Sequence, residues 1–306
     1  MSDRLIAIFG ATATGKTALA VEVAKKVNGT ILNCDSMQIY KKMSIGTAKP
    51  TLSELDGIEC RLIDFVEPDG EYNVLMFKND AEREILNIQK SKKVPVLCGG
   101  TGFYIDTLLD NTELSIDSKD EEISVSLNRD REEFGNDALY ERLKSVDPKS
   151  AEKIHKNDSK RIIRALEIYL VTGKTRSEWG AISQLSPKKY DAVKILVSYS
   201  DRSKLYKRIN DRVDIMFEAG LVDEAKYIYD NYDRSKIAAI GYPQLFEYFD
   251  GLVSLEEAKE NVKRFSRNYA KRQQTWFRRV NDAKVLFADQ MSGDEMVKEV
   301  VDAFLA

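Results

Sequence analysis

Residues 10–17 read Gly10-Ala11-Thr12-Ala13-Thr14-Gly15-Lys16-Thr17, the complete spacing G-x-x-x-x-G-K-[ST], directly after the apolar run Leu5-Ile6-Ala7-Ile8-Phe9. Such a loop constrains the fold strongly, because it works only between a buried strand and the start of a helix. The run before it is short, continuously apolar and closed by glycine, as a buried parallel strand is. After it, Leu19, Val23 and Val27 recur every four residues, which predicts a helix over 16–27 with one buried face. Glycines let the backbone wrap closely around phosphate oxygens, the N–H groups of residues 12–17 point inward, and the positive end of the helix dipole faces the anion. Lys16 adds a cation, and Thr17 offers a hydroxyl to a magnesium ion bridging two phosphate groups. A bound phosphate chain is expected here. The loop alone leaves open whether a phosphate group is transferred or departs.

With 306 residues, two domains are expected and there is ample sequence for a core. No apolar run approaches the roughly 20 residues that cross a bilayer. Met1-Ser2-Asp3-Arg4 leads straight into the first strand, so a cytoplasmic protein with no membrane partner is expected. Cys34, Cys60 and Cys98 are widely spaced and odd in number, and read as buried free thiols. His155 is the single histidine, which excludes mechanisms built on a histidine pair, a Ser-His dyad or a multi-histidine metal site; its own role reads as structural. The net charge of −3 predicts no polyanionic partner, but the distribution of charge says more.

Short apolar runs at 29–33, 62–66 and 94–98 alternate with helical stretches as far as residue 112, the pattern of a parallel sheet covered by helices. A polar stretch then opens a section that reads as helical throughout, with helices predicted at 121–134, 137–145, 148–154 and 158–172. A strand resumes at 194–199, and long helices follow at 201–219, 222–229 and 255–279. The expected architecture is therefore α/β: a P-loop NTPase-like parallel sheet flanked by helices, residues 1–112 and 187–306, with an inserted all-helical domain at 113–186.

Two further strand ends carry chemistry. Ligands of an open parallel sheet sit beyond the carboxyl ends of its strands. Asp35, in Cys34-Asp35-Ser36-Met37-Gln38, therefore belongs at the same edge as the phosphate loop. There it serves as a magnesium ligand through water, a general base, or merely a helix N-cap. Gly99-Gly100-Thr101-Gly102 follows the next strand; its glycines permit close backbone approach to a ligand, and Thr101 can donate to a developing anion. Near the end of the chain, Lys263, Arg264, Arg267, Lys271 and Arg278 fall within about 100° of arc on one helix, with Val262, Phe265, Tyr269, Trp276 and Val280 roughly opposite. A second basic group, Lys160, Arg161 and Arg164, begins a helix of the insert. Each group alone is an ordinary solvated face, whereas together they would suit a nucleic-acid backbone.

These segments resemble the bacterial tRNA dimethylallyltransferase family nearly end to end. The likeness rests on 10–17, Asp35-Ser36-Met37-Gln38-Ile39-Tyr40, Ile45-Gly46-Thr47-Ala48-Lys49-Pro50, Gly99-Gly100-Thr101-Gly102-Phe103-Tyr104, Arg161-Ile162-Ile163-Arg164-Ala165-Leu166-Glu167, Ile240-Gly241-Tyr242 and Tyr269-Ala270-Lys271-Arg272-Gln273-Gln274-Thr275-Trp276. The resemblance implies that the loop, Gly10, Ala11, Thr12, Ala13, Thr14, Gly15, Lys16 and Thr17, holds the diphosphate of dimethylallyl diphosphate with Mg2+ at Thr17. An exocyclic adenine amine then attacks the allylic carbon. Asp35 becomes the general base, Thr101 a donor near the reacting groups, Lys16 a stabiliser of the leaving group and Arg208 a further diphosphate ligand. Asp35, Ser36, Met37, Gln38 and Thr101 would hold the flipped nucleotide. Lys160, Arg161, Arg164, Lys263, Arg267 and Lys271 would grip the tRNA anticodon stem-loop, and a monomer is expected. A free-adenylate prenyltransferase and a small-molecule kinase are the alternatives.

Overall fold

The computed structural model describes residues 4–112 and 120–306. Two compact units result: Met1–Ile105 with Tyr190–Ala306, and Asp106–Lys189.

The first unit is a six-stranded parallel sheet in the order β3-β2-β4-β1-β5-β6. Its strands are β1 (Arg4–Gly10), β2 (Gly29–Asn33), β3 (Cys60–Arg61), β4 (Val94–Gly99), β5 (Asp191–Ser198) and β6 (Lys284–Phe287). Central β1 is covered on both faces, and Leu5, Ile6, Ala7, Ile8 and Phe9 are essentially inaccessible. This is why its sequence is continuously apolar rather than alternating. Helix α1 (Lys16–Val27) buries Leu19 and Val23 against the sheet, while Val27 packs at the margin of the same cluster. This fold is the P-loop-like parallel sheet flanked by helices that the sequence predicts.

One expected strand is absent. The apolar run 62–66 is not paired in the sheet; β3 ends at Arg61, and Leu62 and Asp64 turn the chain through left-handed φ values of 57° and 59°. The N–H groups that follow donate elsewhere, Asp64 to Gln38 O at 3.1 Å and Phe65 to Ile39 O at 2.8 Å. The run therefore braces the segment after β2 instead of extending the sheet.

Short α2 (Leu52–Leu55) and then α3 (Val74–Lys90) link the first strands, and α4 (Gly102–Leu109) follows β4. In the second unit, α5 (Glu121–Val146) is broken at Gly135, whose φ of 81° separates the two predicted helices. With α6 (Pro148–Ala151) and α7 (Ser159–Thr172), it encloses a core containing Leu127, Leu139, Leu143, Ile162 and Leu166, and α8 (Arg176–Leu185) follows. The apolar positions of α7 recur at helical spacing, and Asp158 caps its start by accepting the Arg161 N–H at 3.2 Å.

Back in the first unit come α9 (Arg202–Glu218), α10 (Leu221–Asn231), α11 (Tyr242–Phe249), α12 (Leu255–Phe277) and, after β6, α13 (Gly293–Leu305). No helix among the described residues is long and apolar enough to cross a membrane.

Candidate active site

The phosphate loop leaves β1 at Gly10 and enters α1 at Lys16. A Cβ on Gly10 would lie 2.2 Å from Val197 O, so only glycine lets β1 and β5 stay this close. Ala13 and Gly15 adopt left-handed φ of 63° and 90°, the alternation that turns successive N–H groups into one concavity. Side chains then pin the loop by its carbonyls. Thr14 Oγ1 donates to Ala11 O at 2.9 Å, Lys16 Nζ to Ala11 O at 3.3 Å and Arg208 Nε to Ala13 O at 3.1 Å. Burial lowers the Lys16 pKa from the ordinary 10.5; Cys98 and Asp35 oppose the shift, and nearby Arg212 adds to it.

Helix α9 brings its cations here because Leu205, Ile209 and Val213 bury at four-residue steps, leaving Arg208 and Arg212 on the adjoining stripe. Arg208 is exposed at the rim. Arg212 reaches further in, with Nη1 donating to Thr12 Oγ1 at 3.2 Å and Nη2 extending toward Ala48 O at 3.5 Å. Burial lowers its pKa from 12.5, against the attraction of Asp35 and Glu54. Sequence reasoning chose Arg208 and overlooked Arg212, although the four-residue spacing places both on one face.

Asp35 stands at the carboxyl end of β2, as expected. Its Oδ1 accepts the Met37 N–H at 3.0 Å, so it closes a local turn, and no helix follows for it to cap. Thr101 Oγ1 accepts the Ser36 N–H at 2.9 Å and donates to Ser36 Oγ at 3.1 Å. Burial together with Asp35 pushes the pKa of the neighbouring Tyr269 hydroxyl well up.

The glycines after β4 serve a different purpose from the one their sequence suggests. A Cβ on Gly100 would lie 2.4 Å from Gln273 Nε2, and one on Gly102 2.3 Å from Trp276 Cδ1. The close approach is to α12.

Two adjoining cavities share Thr12, Ala13, Asp35, Thr47, Ala48 and Arg212 in their walls. The larger, about 650 Å³, also takes in Lys16, Thr17, Gln38 and Arg208. The smaller, about 250 Å³, is lined by Val213, Met216, Leu221, Ile240 and Val262 together with Ser36, Met37, Tyr269 and Arg272. Thr47 and Ala48 belong to both walls, and the segment leading into them is held by Glu224. That carboxylate accepts N–H bonds from Ser44, Ile45 and Gly46 at 2.8 to 3.0 Å and the Tyr242 hydroxyl at 2.6 Å. Gln38 Nε2 donates to Thr47 O at 3.2 Å and Ala48 O at 3.0 Å. Chemically, this is a phosphate cradle with a carboxylate beside it and an apolar chamber next door.

The family model described as IPP transferase matches residues 38–280. The chain belongs to the IPP transferase family. Relatives named tRNA dimethylallyltransferase include that of Acetivibrio thermocellus, 45% identical over 99% of this chain and 98% of its own, and that of Caldanaerobacter subterraneus, 42% identical over 100% and 98%. Among solved structures, the full-length tRNA isopentenylpyrophosphate transferase of Bacillus halodurans aligns with a TM-score of 0.74 at 38% identity, covering 99% of this chain and 97% of that one. A eukaryotic dimethylallyltransferase acting on tRNA aligns at 0.81 and 32% identity, over 94% of this chain and 74% of that one.

In this IPP transferase, the basic stripe on α12 is not the uniform track its helical projection suggests. The helix packs through Ala258, Val262, Ala270, Gln273 and Phe277, and Phe265 is exposed. Lys263 turns toward α9 and pairs with Asp214 at 2.9 Å and Glu260 at 3.1 Å, its side chain only 13% exposed. Arg267 donates to Asn210 Oδ1 at 2.6 Å. Arg264, Lys271 and Arg272 are exposed. In the helical unit, Lys160 and Arg161 are exposed on α7, Arg161 lying 3.5 Å from Asp158, while Arg164 pairs with Glu167 at 3.2 Å.

Thr12 also departs from its expected part. Its N–H donates to Gln273 Oε1 at 2.9 Å, so that group is already engaged within the protein. The thiols behave as expected: Cys34, Cys60 and Cys98 are free, with Cys34 and Cys98 buried and Cys60 half-buried. Burial pushes Cys60 up to about 12 and Cys98 up to about 11. Exposed His155 accepts the Asn157 N–H at 3.2 Å in a surface turn.

Proposed function

We propose that this chain transfers a dimethylallyl group from dimethylallyl diphosphate to the exocyclic N6 amine of the adenosine 3′ to the anticodon of tRNA, releasing diphosphate. The observation that carries this reading is the placement of Asp35 in the walls of both cavities, between the Lys16–Thr17 cradle and the apolar chamber. The names of the relatives support the same activity.

The diphosphate lies on the loop, against Lys16, Arg208 and Arg212. The five-carbon chain extends along Val213, Met216, Leu221 and Val262. The flipped adenine enters beside Ser36, Met37, Gln38 and Thr101. Nitrogen attacks the allylic carbon as the carbon–oxygen bond to diphosphate breaks. The amine proton passes to the Asp35 carboxylate, and the negative charge growing on the diphosphate is met by Lys16, Arg212 and the loop N–H groups. The Thr17 hydroxyl is an oxygen donor in the cradle's wall, which fits Mg2+ held mainly by phosphate oxygens and water. Bound there, Mg2+ would neutralise part of the diphosphate charge. Lys160, Arg161, Arg164, Arg267 and Lys271 contribute to tRNA binding, and the enzyme acts as a monomer.

The test is incubation with unmodified tRNA, labelled dimethylallyl diphosphate and magnesium, with AMP as competing acceptor, and a parallel incubation with ATP. Label on the tRNA adenosine is expected. Label on AMP alone, or ATP hydrolysis without prenyl transfer, overturns the assignment.

A further inference from the structure

Gln273 is polar, only 5% exposed, and lies at the junction of the phosphate loop and the turn after β4. Its Oε1 accepts the Thr12 N–H at 2.9 Å and its Nε2 donates to Gly100 O at 2.9 Å. The amide has one workable orientation, since a flip would set N–H against N–H and carbonyl against carbonyl. It is held from both sides: Gly100 has no Cβ because the amide occupies that space, and the flanking turns of α12 pack through Ala270 and Phe277, the latter 5.1 Å from Phe9 between ring centroids. The other polar group of Thr12 is engaged as well, its Oγ1 accepting from Arg212.

In loops of this spacing the N–H groups running into the helix cradle the inner phosphates, and the earlier part of the loop faces any phosphate beyond them. We propose that Gln273 is the specificity residue that makes this loop a diphosphate cradle: by capping the Thr12 N–H from within the protein, it withholds the donor a third phosphate would need. Residues 14–17 remain for two phosphates, and Arg212, resting on Thr12, closes the end of the row. This rests on the reading of the loop as a diphosphate site and adds how a longer phosphate chain is refused.

Calorimetric titration with magnesium pyrophosphate and with magnesium tripolyphosphate tests it in the full-length protein. The wild type should favour pyrophosphate. In Gln273→Leu, which frees the Thr12 N–H at similar volume, the preference should shrink by about tenfold, the worth of one charge-assisted hydrogen bond. Equal affinities in the wild type, or an unchanged ratio in Gln273→Leu, would overturn the inference. Should the leucine variant fail to fold, amide hydrogen exchange in the ligand-free wild type decides: a protected Thr12 N–H supports the cap, and a fast-exchanging one that becomes protected only with pyrophosphate removes it. Absence of any pyrophosphate binding would instead overturn the diphosphate reading, and this inference with it.

Discussion

Thr101 Oγ1 accepts the Ser36 N–H at 2.9 Å, so the turns after β4 and β2 share a hydrogen bond at the carboxyl edge of the sheet. Asp35 is next in the chain, and its own Oδ1 is occupied by the Met37 N–H. One carboxylate oxygen therefore orients the group, and in the proposed reaction the other takes the amine proton. Asp35→Asn keeps the shape and an acceptor for Met37 but cannot take a proton. Turnover should fall by roughly 10²–10⁴-fold with tRNA affinity nearly intact, as read by single-turnover prenylation and filter binding. Normal turnover would remove Asp35 as the base.

Arg212 spans Thr12 and Ala48 with a planar fork that lysine lacks. Arg212→Lys keeps the charge and loses the span. The KM for dimethylallyl diphosphate should rise about tenfold, more than kcat falls, if the guanidinium grips the ground-state diphosphate. An unchanged KM in steady-state kinetics would make Arg212 a scaffold residue only.

Lys16 carries a pKa held below 10.5 by burial. The cation is therefore lost as pH rises through the lowered value, earlier than for an exposed lysine. Pyrophosphate stabilises the charged form, so binding on the alkaline side should take up a proton. Calorimetry in two buffers of different ionisation enthalpy would reveal that uptake, and Lys16→Arg should abolish it.

Asp289 holds the start of α9 by accepting from Ser200 N, Ser200 Oγ and Asp201 N at 2.7 to 3.1 Å. Burial alone would raise its pKa, but these bonds bring it down to about 2 from 3.8. A depressed carboxyl stabilises the fold above its unfolded value and loses that contribution as pH falls toward the folded one. Thermal melts should therefore show stability dropping from about pH 4 to pH 2, with Asp289→Asn flattening the drop.

Lys263 and Lys271 belong to one projected stripe but should behave differently. Lys263→Ala breaks the tie to Asp214 and should cost roughly 1 kcal/mol of stability, with little effect on the salt dependence of tRNA binding. Lys271→Ala should leave the melt unchanged and lower the salt slope by about 1. Equal effects on both measurements would restore the uniform track.

The phosphate loop was legible in the chain, because a loop shaped to wrap an anion admits few sequences: glycines where the backbone turns, lysine and threonine where the helix begins. The P-loop, Asp35 and Thr101 could be assigned to one edge from strand order alone, since parallel strands deliver their carboxyl ends together. The helical insert showed itself by losing the strand pattern for some seventy residues between 113 and 186. Tertiary structure decided whatever depended on partners far away in sequence. Run 62–66 had the composition of a strand, yet Gln38 and Ile39 accepted its N–H groups. The glycines at 100 and 102 looked made for a ligand, yet they admit Gln273 and Trp276. Thr12, inside the most recognisable motif, gave its N–H to a glutamine 261 positions away. Local spacing specifies backbone shape and side-chain type, whereas a hydrogen bond is settled by which acceptor the folded chain brings within about 3 Å.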